Sequence, residues 1–181
     1  MVPVRVTSLF AGRLARDIAA FEPTDIVSLI DPNLEAERRP VFPDAVRVFQ
    51  RAFWDVDNPT HQAADAALVA ALVAFLDDWR DRQHAGAEAR LLVHCHMGIS
   101  RSTASAFVAL AHAAGPGREA EAFDALLGVT NKPWPNALLV RLADDHLGRG
   151  GRMVAALAAY RAAHPRRLDA YGRLHRRRGF Y

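Results

Sequence analysis

The first half of the chain contains short apolar runs separated by turn residues, followed by one long stretch with helical spacing. The runs at residues 4–6, 25–30 and 45–49 are bounded by Pro, Asn and Asp, which predicts three short strands. A helix over residues 12–21 fits between the first two strands. From residue 60 to about residue 82 apolar positions recur at helical spacing, which predicts a long helix with Thr60 as its N-cap.

The second half begins with a compact apolar strand at residues 91–93 and continues as helices. A helix of small residues follows Arg101 and ends before Gly115, and further helices are predicted at residues 118–127, 136–147 and 152–163. Strands interleaved with helices predict an α/β fold with a central, mostly parallel sheet flanked by helices. Without a repeat or a long linker, we expect one domain over residues 1–181, with a basic tail from about 165 to 181.

Composition fits a globular protein, because 51% of the residues are hydrophobic and 24% are charged. The longest apolar run, residues 67–76, is too short to span a bilayer, and the N-terminus shows no signal peptide. We therefore expect a cytoplasmic protein. The net charge of +3 suits an anionic substrate without requiring nucleic acid. The arginine-rich stretch at residues 166–178 is interpreted as a solvated tail rather than a nucleic-acid or lipid contact.

Cys95 is the only cysteine, which excludes an intramolecular disulfide and a cysteine-based metal cluster. His94 and His96 flank it, but successive residues of a strand point to opposite faces, so the three side chains do not converge. We expect no metal and no organic cofactor.

The segment at residues 93–103 carries the candidate chemistry, because it places Cys95 at the end of a strand, Gly98 in a tight loop and Arg101 at the start of a helix. Backbone N–H groups of such a loop converge on one point, and the helix N-terminus adds partial positive charge there. This arrangement predicts a thiolate nucleophile at the base of an oxyanion cradle. The predicted phosphate-binding residues are His96, Met97, Gly98, Ile99, Ser100 and Arg101.

Three side chains receive separate roles in this hypothesis. Arg101 offers a planar fork for two phosphate oxygens, and its hydrogen bonds should strengthen in the transition state. Ser102 is expected to hydrogen-bond the sulfur of Cys95 and ease its departure. His94 is expected to brace the loop by hydrogen bonds rather than to perform chemistry.

The string HCHMGISRST resembles the HCxxGxxR(S/T) signature of the protein tyrosine phosphatase superfamily, and within it the compact dual-specificity branch. Weaker similarity to a group of small bacterial members extends over about residues 25–155. It lies in LIDP (29–32), HCHMGISRSTASAF (94–107), PWPNALLVRLAD (133–144) and LGRGGRMV (147–154). The resemblance implies a phosphatase fold, a phosphocysteine intermediate and an Asp general acid on a loop before the cysteine.

Two acids compete for the general-acid role. The bacterial relatives have a pattern like F-x-D-(I/V)-x-x-P, which matches Phe53 to Pro59 and favours Asp55. Asp57 lies nearer the usual separation from the cysteine, although it could instead cap or brace the loop. Asn136, in a Pro-Asn turn, either starts a helix packed near the loop or serves only as an N-cap.

The sequence thus predicts a phosphomonoester hydrolase of the tyrosine or dual-specificity type. Its substrate would be a phosphorylated protein or a small phosphomonoester, and inorganic phosphate would be a product. A rhodanese-like sulfurtransferase and a non-catalytic phosphate-binding module remain alternatives. A phosphoinositide enzyme is a third, although lipid-directed relatives often carry lysines in the loop and this chain has none there.

Overall fold

The computed structural model describes residues 3–177 and contains four β-strands and seven α-helices within that range. The strands are β1 (Val4–Ser8), β2 (Asp25–Ile30), β3 (Arg47–Ala52) and β4 (Leu91–Cys95). The helices are α1 (Arg13–Phe21), α2 (Ala66–His84), α3 (Arg101–Ala114), α4 (Glu119–Val129), α5 (Ala137–His146), α6 (Arg152–Ala163) and α7 (Arg167–Arg177).

The four strands form one parallel sheet in the order β1-β4-β2-β3. Strands β2 and β4 are central and buried along their whole length, so their sequences are almost continuously apolar. The predicted α/β class is therefore confirmed. Strand β3 lies at the edge and is mostly exposed, and it runs from residue 47 to 52 rather than 45 to 49 because pairing with β2 sets its extent.

Helices cover both faces of the sheet. On one face α1 contacts β1 and β4, while on the other α3 contacts three strands and also packs against α2, α4 and α5. Every residue of α3 from 101 to 111 is buried, and its many Ala and Ser residues allow this close approach. None of the helices in the described range has the length and apolar content needed to cross a membrane.

The predicted N-cap of the long helix is wrong. Helix α2 starts after Asp65, which has an extended backbone and whose side-chain oxygen accepts the N–H of Leu68 at 2.7 Å. Thr60 lies in a preceding turn, where its carbonyl accepts the N–H of Ala63 at 3.1 Å. Both residue types are good caps, and the irregular path of residues 61–64 decides between them.

The basic tail contains a helix that the sequence analysis did not predict. Helix α7 covers residues 167–177, and residues 178–181 of the tail lie outside the described part. In the sequence, Leu168, Tyr171 and Leu174 recur every three residues, but three such residues among arginines give too short a pattern to indicate a helix.

The cap correction gives a first prediction. Asp65→Ala should lower the free energy of unfolding by about 1 kcal/mol, because one N–H at the start of α2 loses its acceptor. Thr60→Ala is the matched control and should change it by less than about 0.5 kcal/mol. Urea unfolding followed by circular dichroism measures both, and equal losses for the two variants would contradict the assignment.

Candidate active site

Strand β4 and helix α3 hold Cys95 at the floor of a cavity. The strand ends at Cys95 and the helix begins at Arg101, so residues 96–100 form a tight loop between them. The Cys95 sulfur lies 3.3 Å from the donating N–H of Gly98 and 3.2 Å from the hydroxyl of Ser102. Although Cys95 is only 1% exposed, its immediate neighbours are therefore polar.

The loop requires glycine at position 98 for two reasons. Its φ of +70° lies in the left-handed region, which glycine adopts without steric cost. A Cβ at this position would lie 2.7 Å from the backbone oxygen of Thr7, a distance that real Cβ atoms essentially never show. Gly98 thus permits the loop to lie directly against the end of β1.

The cavity above the sulfur has a volume of about 400 Å³. Most of the predicted phosphate-binding loop lines it, while Gly98 contributes its N–H toward the sulfur. The lining residues from the loop are Cys95, His96, Met97, Ile99, Ser100 and Arg101. The rest of the wall comes from the segments after β2 and β3: Asp31, Asn33, Trp54, Asp55 and Val56.

The guanidinium of Arg101 is 3% exposed and joins three segments of the chain. One terminal nitrogen donates to the carbonyl of Phe53 at 2.7 Å, and the other lies 2.6 Å from a carboxylate oxygen of Asp31. Its Nε has no hydrogen bond among the described residues and lies 3.8 Å from Asp55 Oδ2. Arg101 is therefore held in place by two partners, while its buried Nε–H is left without one among the described residues.

The sequence analysis missed Asp31 as part of this site. Asp31 follows β2 directly, and β2 is the neighbour of β4 in the sheet. Ligands of open parallel sheets bind beyond the carboxyl ends of the strands, where Asp31 and Cys95 both lie. The polar residue after a mostly apolar strand was the available signal, but the position of β2 beside β4 was needed to interpret it.

His96 lies beside this ion pair. Its Nε2 accepts the backbone N–H of Asp31 at 3.3 Å, and its Nδ1 lies 3.3 Å from the Asp31 carboxylate. Burial lowers the pKa of His96, the Asp31 carboxylate opposes that shift, and the charge of Arg101 adds to it. The geometry thus favours a neutral ring that carries its proton on Nδ1.

The expected hydrogen-bonding role of His94 is not observed. Both ring nitrogens lack a hydrogen-bond partner within residues 3–177, and the ring packs against Phe42 with centroids 5.9 Å apart. Burial lowers the pKa of His94 to about 3, with the nearby Cys95 backbone opposing the shift and the charges of His96 and Arg101 adding to it. His94 supports the loop by packing as a neutral ring, because β4 directs it away from the sulfur.

Asp55 lies at the rim of the cavity. Its Oδ1 accepts the hydroxyl of Ser100 at 2.6 Å and the side-chain amide of Asn136 at 3.0 Å. Its Oδ2 makes no hydrogen bond to any residue between 3 and 177. These contacts hold the segment that carries Asp55, which we call the acid loop (residues 53–59), against the predicted phosphate-binding loop. One carboxylate oxygen of Asp55 is left open to the cavity.

Asp57 points elsewhere. One of its oxygens accepts the backbone N–H of Ala137 at 2.7 Å, at the start of α5, and the other lies 3.1 Å from Arg161. Asp57 does not line the cavity above the sulfur. Its position matches the capping and bracing role that the sequence analysis allowed for it.

Asn136 combines the two roles that the sequence analysis weighed. Its side-chain oxygen accepts the N–H of Leu139 at 2.8 Å and so caps α5. Its amide nitrogen donates to Asp55 and also to the carbonyl of Val56, at 2.9 Å. The same residue therefore begins a helix and positions the acid loop.

The contact of Gly98 with Thr7 leads to a second prediction. Gly98→Ala should lower the free energy of unfolding by about 2 kcal/mol or more and weaken inorganic phosphate binding, because strain and a backbone clash both displace the loop. Gly117→Ala is the matched control, since its φ is +85° but a Cβ would meet nothing within 4 Å, and it should cost about 1 kcal/mol. Thermal unfolding and calorimetric phosphate titration compare the two, and equal behaviour would refute the clash.

Comparisons with known proteins support the fold. No family model matches the chain, and no curated protein matches its sequence. Among solved structures, human DUSP28 aligns with a TM-score of 0.58 and 18% identity, over 88% of this chain and 96% of that protein. The human tyrosine phosphatase-like serine/threonine/tyrosine-interacting protein aligns with a TM-score of 0.60 and 17% identity, over 81% and 91%.

A third similar structure is the Yvh1 phosphatase domain from Chaetomium thermophilum, with a TM-score of 0.55 and 20% identity over 83% of this chain and 94% of that domain. At these identities the likeness concerns the backbone, and it extends over most of each partner. The chain therefore has the fold of the dual-specificity and tyrosine phosphatases.

Proposed function

We propose that this protein hydrolyses phosphomonoesters through a phosphocysteine intermediate, with Cys95 as nucleophile, Arg101 as phosphate ligand and Asp55 as general acid. The observation that carries the proposal is that these three side chains line one cavity of about 400 Å³. A nucleophile, a charge acceptor and a proton donor on one cavity are the parts that phosphoryl transfer to sulfur requires.

In the first step the Cys95 thiolate attacks phosphorus and the bond to the leaving oxygen breaks. Asp55, protonated on Oδ2, gives its proton to that oxygen, so the alcohol or phenol leaves neutral. The guanidinium of Arg101 and the N–H groups of the loop hold the equatorial oxygens as charge spreads over them. The product is a phosphocysteine and an ionised Asp55.

In the second step water attacks the phosphocysteine and the sulfur–phosphorus bond breaks. The Asp55 carboxylate now accepts the proton from water, which restores its starting form. The Ser102 hydroxyl, 3.2 Å from the sulfur, donates a hydrogen bond to the departing thiolate. Inorganic phosphate leaves, and no metal or organic cofactor takes part.

The contacts of the two competing acids support Asp55. It borders the cavity and keeps Oδ2 without a hydrogen bond among the described residues, whereas one Asp57 oxygen accepts the N–H of Ala137 at the start of α5 and the other binds Arg161 of α6. A general acid must reach the leaving oxygen directly or through one water, which favours a residue of the cavity wall.

The two alternative functions, a sulfurtransferase and a binding module, account for fewer of the residues that line the cavity. A rhodanese-like sulfurtransferase would have no use for an acid at the position of Asp55. The second alternative is a non-catalytic binding module. One protein with this fold is named a tyrosine phosphatase-like serine/threonine/tyrosine-interacting protein, and that name describes binding rather than hydrolysis. The presence of Cys95 together with Asp55 favours an enzyme.

A nucleophilic thiol also suits a reducing compartment, which supports the proposed cytoplasmic location.

The third prediction separates nucleophile from acid. With phenyl phosphate as substrate, Cys95→Ser should abolish turnover while retaining phosphate binding. Asp55→Asn should lower kcat by about 10²- to 10⁴-fold, because the leaving oxygen loses its proton donor. With p-nitrophenyl phosphate the Asp55→Asn loss should be smaller, since that leaving group needs less protonation.

Asp57→Asn is the control for this experiment and should lower kcat far less on either substrate, with its main effect on stability. If Asp57→Asn is the crippled variant, the acid is misassigned although the reaction class stands. Turnover that survives in Cys95→Ser would exclude the mechanism. Thiosulfate:cyanide transfer without phosphate release would instead support the sulfurtransferase.

The fourth prediction concerns the fork of Arg101. Arg101→Lys should lower kcat/KM by about 10²- to 10³-fold, because one ammonium cannot replace the contacts to Phe53 and Asp31 and also bind phosphate. Arg166→Lys, the same charge-conserving substitution at an exposed position before α7, is the control and should leave kcat/KM nearly unchanged. A loss below about threefold in Arg101→Lys would show that charge alone suffices.

A further inference from the structure

A second cavity of about 700 Å³ opens beside the phosphate cavity. The two share Asp55, Ile99 and Ser100 in their walls. Its other wall is α7, together with Trp134 from the segment before α5. We call this second cavity the α7 groove, and its position means that a substrate held at Cys95 can extend into it.

Helix α7 is attached at this position by contacts on both sides of its first turns. The Tyr171 hydroxyl donates to the carbonyl of Lys132, and Arg167 contacts the hydroxyl of Tyr160 and lies over its ring at 5.2 Å. Tyr171 lines the α7 groove and also a neighbouring cavity that reaches Met97 of the phosphate-binding loop. The groove wall is thus built from tertiary contacts and lies next to the loop.

The surface of the groove is apolar with a few charges. Leu168 is 57% exposed, one of the most exposed large apolar side chains of the described chain, and it lines the groove with Trp134 and Tyr171. Exposed apolar residues grouped in a concave surface indicate a binding site. Asp169 and Arg173 border the same groove.

We propose that the α7 groove binds the polypeptide next to the phosphorylated residue of a phosphopeptide substrate, with an apolar side chain against Leu168. This inference rests on the proposed function. A small phosphomonoester fits within the 400 Å³ cavity, whereas a longer substrate would also reach the adjoining 700 Å³ groove.

The charges of the groove favour a peptide over a polyanion. Asp55, Asp57 and Asp169 line it, against Arg173 as its one lining cation among the described residues. Asp57 pairs with Arg161 and Asp55 is protonated in the proposed first step, which leaves Asp169 against Arg173. The described lining therefore offers no cluster of cations to bind the repeated phosphates of a nucleic acid or the surface of an anionic vesicle. A peptide with one phosphate and apolar neighbours needs no such cluster.

The test compares two phosphotyrosine peptides, one flanked by Leu and the other by Ser, with p-nitrophenyl phosphate as the short substrate. The wild-type protein should prefer the Leu peptide. Leu168→Ala should reduce that preference in kcat/KM by about tenfold, because the contact with the flanking Leu loses most of its apolar area. The effect on p-nitrophenyl phosphate should be much smaller. The control is Val154→Ala on α6, a 38% exposed position outside the groove, which should retain the preference.

The outcomes distinguish this inference from the proposed function. If all substrates are turned over but Leu168→Ala and Val154→Ala keep the same preference, the groove inference is wrong and the phosphatase stands. If no substrate is turned over, the proposed function is wrong, and fluorescence anisotropy of the labelled peptides still reports whether Leu168 contributes to binding. A 5′-phosphorylated oligonucleotide or phosphoinositide vesicle that outperforms the Leu peptide in a Leu168-dependent manner would overturn the peptide assignment.

Discussion

The buried guanidinium of Arg101 is the interaction on which the rest of the site depends. A cation that is 3% exposed requires partners, and it finds them in the Asp31 carboxylate after β2 and the Phe53 carbonyl after β3. The start of α3 is thereby fixed to the ends of two strands, which places the acid loop opposite the sulfur of Cys95. Removing any one partner would leave a buried charge without compensation, so the three segments are coupled.

A second set of contacts joins the acid loop to the phosphate-binding loop. Asp55 accepts hydrogen bonds from Ser100 and Asn136, which come from opposite sides of α3 in the sequence. Because Asn136 also caps α5, the position of the acid depends on where a helix of the second half begins. The carboxylate is therefore positioned by the fold and not only by its own loop, which leaves Oδ2 directed to the same cavity as the sulfur.

The sequence best predicts structural features that are formed by residues adjacent in the chain. The strand, loop and helix around Cys95 follow from local pattern, and so does the α/β class. Asp31 could not be assigned, because its role depends on β2 lying beside β4, and the strand order is a property of the whole chain. Thr60 and Asp65 show the same limit at a helix start, since both have capping side chains and only the path between them decides. A hydrogen-bonding role was expected for His94. Because His94 precedes Cys95 in the same strand, its side chain lies on the opposite face of the sheet from the sulfur.

The chemistry and the selectivity of this site come from different parts of the chain. In the proposed reaction, phosphate binding and attack use Cys95, the loop after it and Arg101, and any phosphomonoester meets their requirements. In the proposed complex the part of the substrate beyond the phosphate meets α7, whose arginine-rich sequence was interpreted as a solvated tail. In the folded chain Arg167 is engaged with Tyr160, and the groove that α7 borders is lined by apolar rings, Leu168 and several carboxylates. Net basic charge in a segment therefore says little about its partner until the side chains that face the site are known.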